Sequence, residues 1–92
     1  MNKGELVGAI CDRRGVTRAV AESIISEAID VIVQQVAQGN RVTLVGFGTF
    51  ESVHAKERVG RNPRTGETLT IPERTKPIFR AGKLFKEAVN DG

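Results

Sequence analysis

Between His54 and Thr75 this 92-residue chain loses nearly every large apolar side chain: only Val59, Leu69 and Ile71 remain, while cations and turn formers gather around Asn62-Pro63 and Thr65-Gly66. A stretch so poor in apolar surface cannot bury itself. The simplest arrangement is a two-stranded ribbon, its halves covering about residues 53–61 and 67–76, standing out from whatever the rest of the chain builds. At about 3.3 Å per residue such an arm reaches some 30 Å. With no packed face of its own, it is expected to be mobile when unbound.

The expected tip is Gly60-Arg61-Asn62-Pro63-Arg64-Thr65-Gly66. Proline offers a rigid ring without a backbone donor, and Arg61 and Arg64 supply forked, permanently charged guanidiniums. These are the parts needed to approach phosphates and push between bases, and they point to DNA. A plainer alternative is that Arg58, Arg61, Arg64, Arg74 and Lys76 only solubilise an exposed ribbon and blunt its edges. That alternative does not explain a proline among arginines at the tip, nor why Arg80, Lys83 and Lys86 carry the positive field into the following segment.

Charge distribution agrees. The formal net charge is only +3, but residues 1–40 hold four cations against five anions, whereas residues 41–86 hold ten against four. The positive field therefore belongs to the second half.

Ahead of the arm the pattern is helical. Asn2 and Glu5 have capping-box spacing, and Leu6, Val7, Ile10 and Cys11 follow at helical intervals up to Arg14-Gly15. Thr17 is placed to cap a longer helix ended by Gly39-Asn40. On it Val20, Ile24, Ala28, Ile32 and Val36 form one row, and Ala21, Ile25, Ile29, Val33 and Ala37 the next. Two adjacent rows make a stripe wider than one small neighbour covers, which predicts a dimer. The alternative, that the sheet and first helix of the same chain cover it, stays open here.

After Gly39 the period shortens. Val42 and Leu44 alternate with Thr43, Gly46-Phe47-Gly48 makes a turn, and Thr49 to Val53 resumes extended chain, so a hairpin is expected. The turn either exposes backbone N–H groups to a phosphate or simply anchors Phe47 in the core. It joins strand to strand and lacks a third glycine, which argues against a dinucleotide loop. The chain re-enters the core at Ile78 and Phe79, and Leu84, Phe85, Ala88 and Val89 define a closing helix from near Gly82. With no Trp or Tyr and four Phe, the core is expected to be aliphatic, and stacking on single strands is poorly supported. The lone Cys11 reads as a small buried hydrophobe. The lone His54 reads as a structural side chain at the arm's base. One Cys, one His and no clustered carboxylates leave no catalytic residues, no metal site and no cofactor to expect. No segment has the length and apolarity of a membrane span or signal peptide, so a cytoplasmic protein is expected.

Gly46-Phe47-Gly48-Thr49-Phe50, Gly60 to Glu67, Ile71-Pro72 and Phe79-Arg80-Ala81-Gly82-Lys83, together with the opening Met1-Asn2-Lys3 and Glu5-Leu6, resemble the signature blocks of the histone-like HU and integration host factor family of bacterial DNA-binding proteins. The resemblance runs end to end in order and length. It implies an α+β fold: an intertwined dimer with a helical body of two N-terminal helices and a short C-terminal helix, and a three-stranded antiparallel sheet extended into a β-ribbon arm. In that plan residues 1–92 form one domain, with 1–40 the helical dimerisation part, 41–53 and 77–92 the body sheet and closing helix, and 54–76 the arm. The partner is a second copy or a closely related subunit.

The resemblance also implies residue roles. Pro63 would wedge between base pairs in the minor groove, with Lys56, Arg58, Arg61, Asn62 and Arg64 lining the arm and Arg74 and Lys76 meeting phosphates. Lys3, Arg80, Lys83 and Lys86 would extend the track, and Gly46 and Gly48 would admit close phosphate approach. Two departures are Ala81, where many members have proline, and Ala55, where members often have a cation. The length and the Gly46 turn, which carries no added cation, resemble HU more than the sequence-selective branch. The implied function is architectural: low-specificity binding and bending of duplex DNA, preferring bent, nicked or gapped DNA, in compaction of the nucleoid. A scaffold for an acidic protein partner is the competing class, and RNA stays open as a secondary ligand.

Overall fold

The computed structural model describes residues 1–90, in the order α1 (Lys3–Arg14), α2 (Arg18–Ala37), β1 (Val42–Leu44), β2 (Gly48–Ala55), β3 (Arg58–Arg61), β4 (Thr68–Ile71), β5 (Arg74–Ala81) and α3 (Lys83–Asn90). The chain divides into two compact units, Met1–Gln34 and Gln35–Gly92.

In the first unit the helix boundaries follow local chemistry. Asn2 Oδ1 accepts from the Glu5 amide at 2.9 Å, capping α1, and Gly15, at φ 65°, closes it by donating its N–H to the Cys11 carbonyl. Thr17 Oγ1 accepts from the Val20 amide at 3.3 Å at the start of α2. The Arg18 guanidinium reaches back to the Gly4 carbonyl at 3.1 Å. Packing here rests on Val7 and Ala21, which are 1% and 2% exposed. Cys11 is half-buried, not the buried hydrophobe expected: in α1 only Val7, one turn earlier, is fully buried.

Along α2 much of the two apolar rows stays uncovered: Ile24 is 64% exposed, Val33 60%, and Val20 and Ile29 are exposed as well, whereas Ala21 is buried and Ile25, Ile32 and Val36 are half-buried. The helix ends in a Schellman arrangement, with Gly39 N–H donating to the Val36 carbonyl and Asn40 N–H to the Gln35 carbonyl at 2.9 Å.

In the second unit β1, β2 and β5 form an antiparallel sheet in that spatial order, and β3 and β4 form a separate two-stranded ribbon. Period-two alternation sorts the sheet's faces. Val42, Phe50 and Phe79 face one another in register, as do Leu44, Gly48 and Ala81. On the opposite face lie Thr43, Thr49 and Arg80, then Glu51 with Ile78, Val53 with Lys76 and Ala55 with Arg74. Against the expectation of an aliphatic core, all four phenylalanines meet. Phe47 stacks on Phe85 with centroids 5.4 Å apart, and Phe50 and Phe79 lie 4.8 Å apart. A few aromatics with large areas outweigh their number once register brings them together. The turn before Gly48 is tied to the start of α3 by the Gly82 amide, which donates to the Phe47 carbonyl at 2.8 Å.

The arm departs from the continuous ribbon expected over 53–61 and 67–76. Its ladder is interrupted at Lys56-Glu57 on one side and Pro72-Glu73 on the other. Pro72 has no amide to donate, which opens the ladder at that point. The interruption is balanced: Ala55 faces Arg74 before it and Arg58 faces Ile71 after it, so each strand skips two residues and register is kept.

Candidate nucleic-acid interface

The tip is built by its own polar atoms. The Asn62 amide donates to the Glu67 carbonyl and the Gly66 amide to the Asn62 carbonyl, both at 2.8 Å, while Asn62 Oδ1 accepts from the Arg64 amide at 2.9 Å. Gly66 closes the loop at φ 73°. Asn62 is thus an Asx-turn residue that shapes the tip, a role its expected place in a groove did not reveal. Pro63 follows it, where its fixed φ suits the first turn position. Pro63, Arg61 and Arg64 are all exposed.

Lower in the arm Arg58 stands in β3, and Ile71 in β4 lies beside Gly60. Val59 is 70% exposed, an apolar side chain open to solvent on the ribbon. At the ladder interruption Lys56, Arg58, Arg74 and Lys76 line a concavity of about 310 Å³ with Ala55, Ile71 and Pro72. Four of the expected contact residues are therefore brought together around one opening. His54 stands at the same level, its Nδ1 3.2 Å from Thr75 Oγ1 and its Nε2 3.5 Å from a Glu73 carboxylate oxygen.

The remaining expected contacts are distributed. Lys83 and Lys86 are exposed on α3, with Lys83 Nζ 3.9 Å from Glu87. Lys3 donates to Ser26 Oγ at 2.7 Å in the first unit. Gly46 is exposed at φ 85°, whereas Gly48 is buried. Arg80 donates from Nε to Glu51 Oε1 at 3.2 Å, and Arg41, which the sequence reading did not single out, places its Nε 3.1 Å from Glu51 Oε2. Among the described residues no three His, Cys, Asp or Glu gather as a metal site, and no helix is long and apolar enough to cross a membrane.

Comparison with known proteins agrees with this layout. The family model described as bacterial DNA-binding protein matches residues 1–90. The DNA-binding protein HU of Nostoc sp. is 49% identical, covering 97% of this chain and 95% of its own length. HU-beta 2 of Neisseria meningitidis is also 49% identical, over 98% and 99%. Among solved structures, an Anabaena HU–DNA cocrystal is similar with a TM-score of 0.89 at 48% identity, covering all of both chains. A mutant HU from Thermotoga maritima gives 0.72 at 27% identity, covering 97% of this chain and 99% of its own. With its end-to-end match, its three helices and its arm-bearing antiparallel sheet, the chain belongs to the bacterial DNA-binding protein family, the family of HU.

Proposed function

We propose that the chain is a non-enzymatic architectural protein that binds duplex DNA as a dimer, grips the minor groove with its arms and bends it with little sequence preference. The observation that carries this is the tip: an exposed proline set by an Asx turn between two exposed arginines, on an arm whose root gathers four more cations. Pro63 is the wedge; Lys56, Arg58, Arg61, Asn62 and Arg64 line the groove; Arg74 and Lys76 meet phosphates. Lys3, Arg80, Lys83 and Lys86 extend the track. Close phosphate approach at the turn falls to exposed Gly46, since Gly48 is enclosed. Residues 1–40 serve dimerisation, 41–53 with 77–92 the body, and 54–76 the arm. The protein works at the nucleoid in the bacterial cytoplasm.

The dimer is supported by exposed area. The chain exposes 7584 Å², where a folded monomer of its 10.0 kDa exposes about 5,200 Å². With the apolar rows of α2 open, a partner copy or close relative is the occupant that completes the core.

A gel-shift competition among linear, nicked, gapped and site-bearing duplexes and structured RNA, at fixed salt, tests this reading. Distorted duplexes should compete best, because part of the bending and unstacking cost, on the order of a few kcal/mol, is already met. Equal or better competition by RNA would overturn the duplex preference, and no duplex affinity at low salt would favour an acidic protein partner instead.

A further inference from the structure

On the polar face of the three-stranded sheet, Glu51 joins two arginines from separate parts of the chain. Arg41 immediately precedes β1, Arg80 lies in β5, and Glu51 is in the central strand β2, its side chain only 16% exposed. Both guanidiniums meet the carboxylate through Nε, at 3.1 and 3.2 Å, while their side chains stay 69% and 66% exposed. A guanidinium has five N–H donors, so four on each arginine remain after the Nε contact. They meet no other acceptor among the described residues. The triad carries a net charge of +1. Beside it Thr43 and Thr49 share a hydrogen bond of 3.2 Å in the same cross-strand row as Arg80, and the hydroxyl proton that bond does not use is free to donate. On the same face of β5, beyond Ile78, stand Lys76 and Arg74, which line the concavity at the arm's root.

We propose that Arg41 and Arg80, aligned by Glu51, form a clip that binds one backbone phosphate of the duplex held by the arms, and that Glu51 is a positioning residue for it. The proposal rests on the duplex-binding reading and adds a contact between body and DNA. Because one carboxylate holds both guanidiniums, they are kept within reach of a single phosphate, a bidentate partner for forked donors. Without the carboxylate two like charges would separate and each would act alone. The ligand is a phosphodiester, and its source is the DNA strand running from the arm's root across the sheet, since Arg80 shares one face of β5 with Lys76 and Arg74 at that root, with Ile78 between them.

The test is the salt dependence of binding to a linear duplex, measured by fluorescence anisotropy for the full-length protein. Arg41→Ala and Arg80→Ala should each lower the slope of log K against log[salt] by about 0.9, the loss of one phosphate contact. The double variant should lose no more than either alone, since both grip the same phosphate. In a Glu51→Gln background the coupling should vanish, so that the two losses add. Thermal unfolding of each variant separates misfolding from lost contact. A double variant that loses about 1.8 in slope shows two independent charges and overturns the clip. Arg41→Ala curves that superimpose on wild type overturn it as well. A wild-type protein without duplex affinity would remove the underlying reading, an outcome distinct from wild-type binding with unaltered variants.

Discussion

Gly48 lies against Phe79 with no room for a side chain: a Cβ at Gly48 would stand 2.6 Å from Cζ of the Phe79 ring and 2.5 Å from the Arg80 carbonyl oxygen. The second glycine of the Gly46 to Gly48 turn is therefore required by the Phe cluster. Gly48→Ala should destabilise the protein by about 2 kcal/mol, the range for an overpacked core. That corresponds to a fall in Tm of roughly 10 °C for a chain of this size. Gly66→Ala, where the Cβ meets nothing within 4 Å but φ is 73°, should cost only about 1 kcal/mol. Calorimetry ranking Gly66→Ala as the more harmful would contradict the packing account.

Pro63 is exposed at the end of the arm, on a turn held by Asn62 and Gly66. Pro63→Ala should reduce the bend angle and the preference for nicked over linear duplex more than it reduces affinity for linear duplex. Resonance energy transfer between dyes at the duplex ends measures the bend. An unchanged angle would end the wedge assignment.

Arg58, Arg61 and Arg64 are exposed along the arm. Each changed to Ala should lower the salt slope by about 0.9, as expected for one phosphate neutralised per cation. Slopes matching wild type would return these arginines to the solubilising alternative.

Asn62 acts through a hydrogen bond and not through charge. Asn62→Ala removes the acceptor for the Arg64 amide, at a cost of about 1 kcal/mol to the closed tip. The Arg64 amide should then exchange with solvent faster than in wild type, and binding to bent duplex should weaken while the salt slope holds. Asn62→Asp keeps the acceptor and should retain the slow exchange. Amide exchange followed by NMR distinguishes the two variants, and fast exchange in both would show that the side chain does not hold the turn.

Ile24 is 64% exposed in the single chain, where a polar replacement would cost no more than about 0.5 kcal/mol. In a dimer that buries α2, Ile24→Glu places an unpaired charge in the interface. Sedimentation should then show monomer at concentrations where wild type is dimeric, and at those concentrations Tm should be lower and lose the dependence on protein concentration that a dimer shows. A variant as stable and as dimeric as wild type would place the interface elsewhere.

Much of the architecture is legible because its signals lie within a few residues of each other. The cap at Asn2 and Glu5, the cap at Thr17, the Gly39-Asn40 stop and the loop from Asn62 to Gly66 are local hydrogen-bond arrangements, and each appears where its residues predict. The break in the ribbon was harder to see. Pro72 marks it on one strand only, and the facing gap at Lys56-Glu57 follows from register.

The chain's own residues determined that a positive, apolar-poor arm with a proline tip must stand outside a small helical and sheet core, because such a segment has nothing to bury. They also determined that α2 carries more apolar face than a narrow contact needs. Tertiary structure decided which distant residues meet: four phenylalanines between positions 47 and 85, the enclosure of Gly48, and the grouping of Arg41, Glu51 and Arg80 around one carboxylate. The physical reason is register. Local periodicity assigns a residue to one face of a strand, but only pairing across strands sets its neighbours on that face, and so whether a charge stands alone or shares a partner.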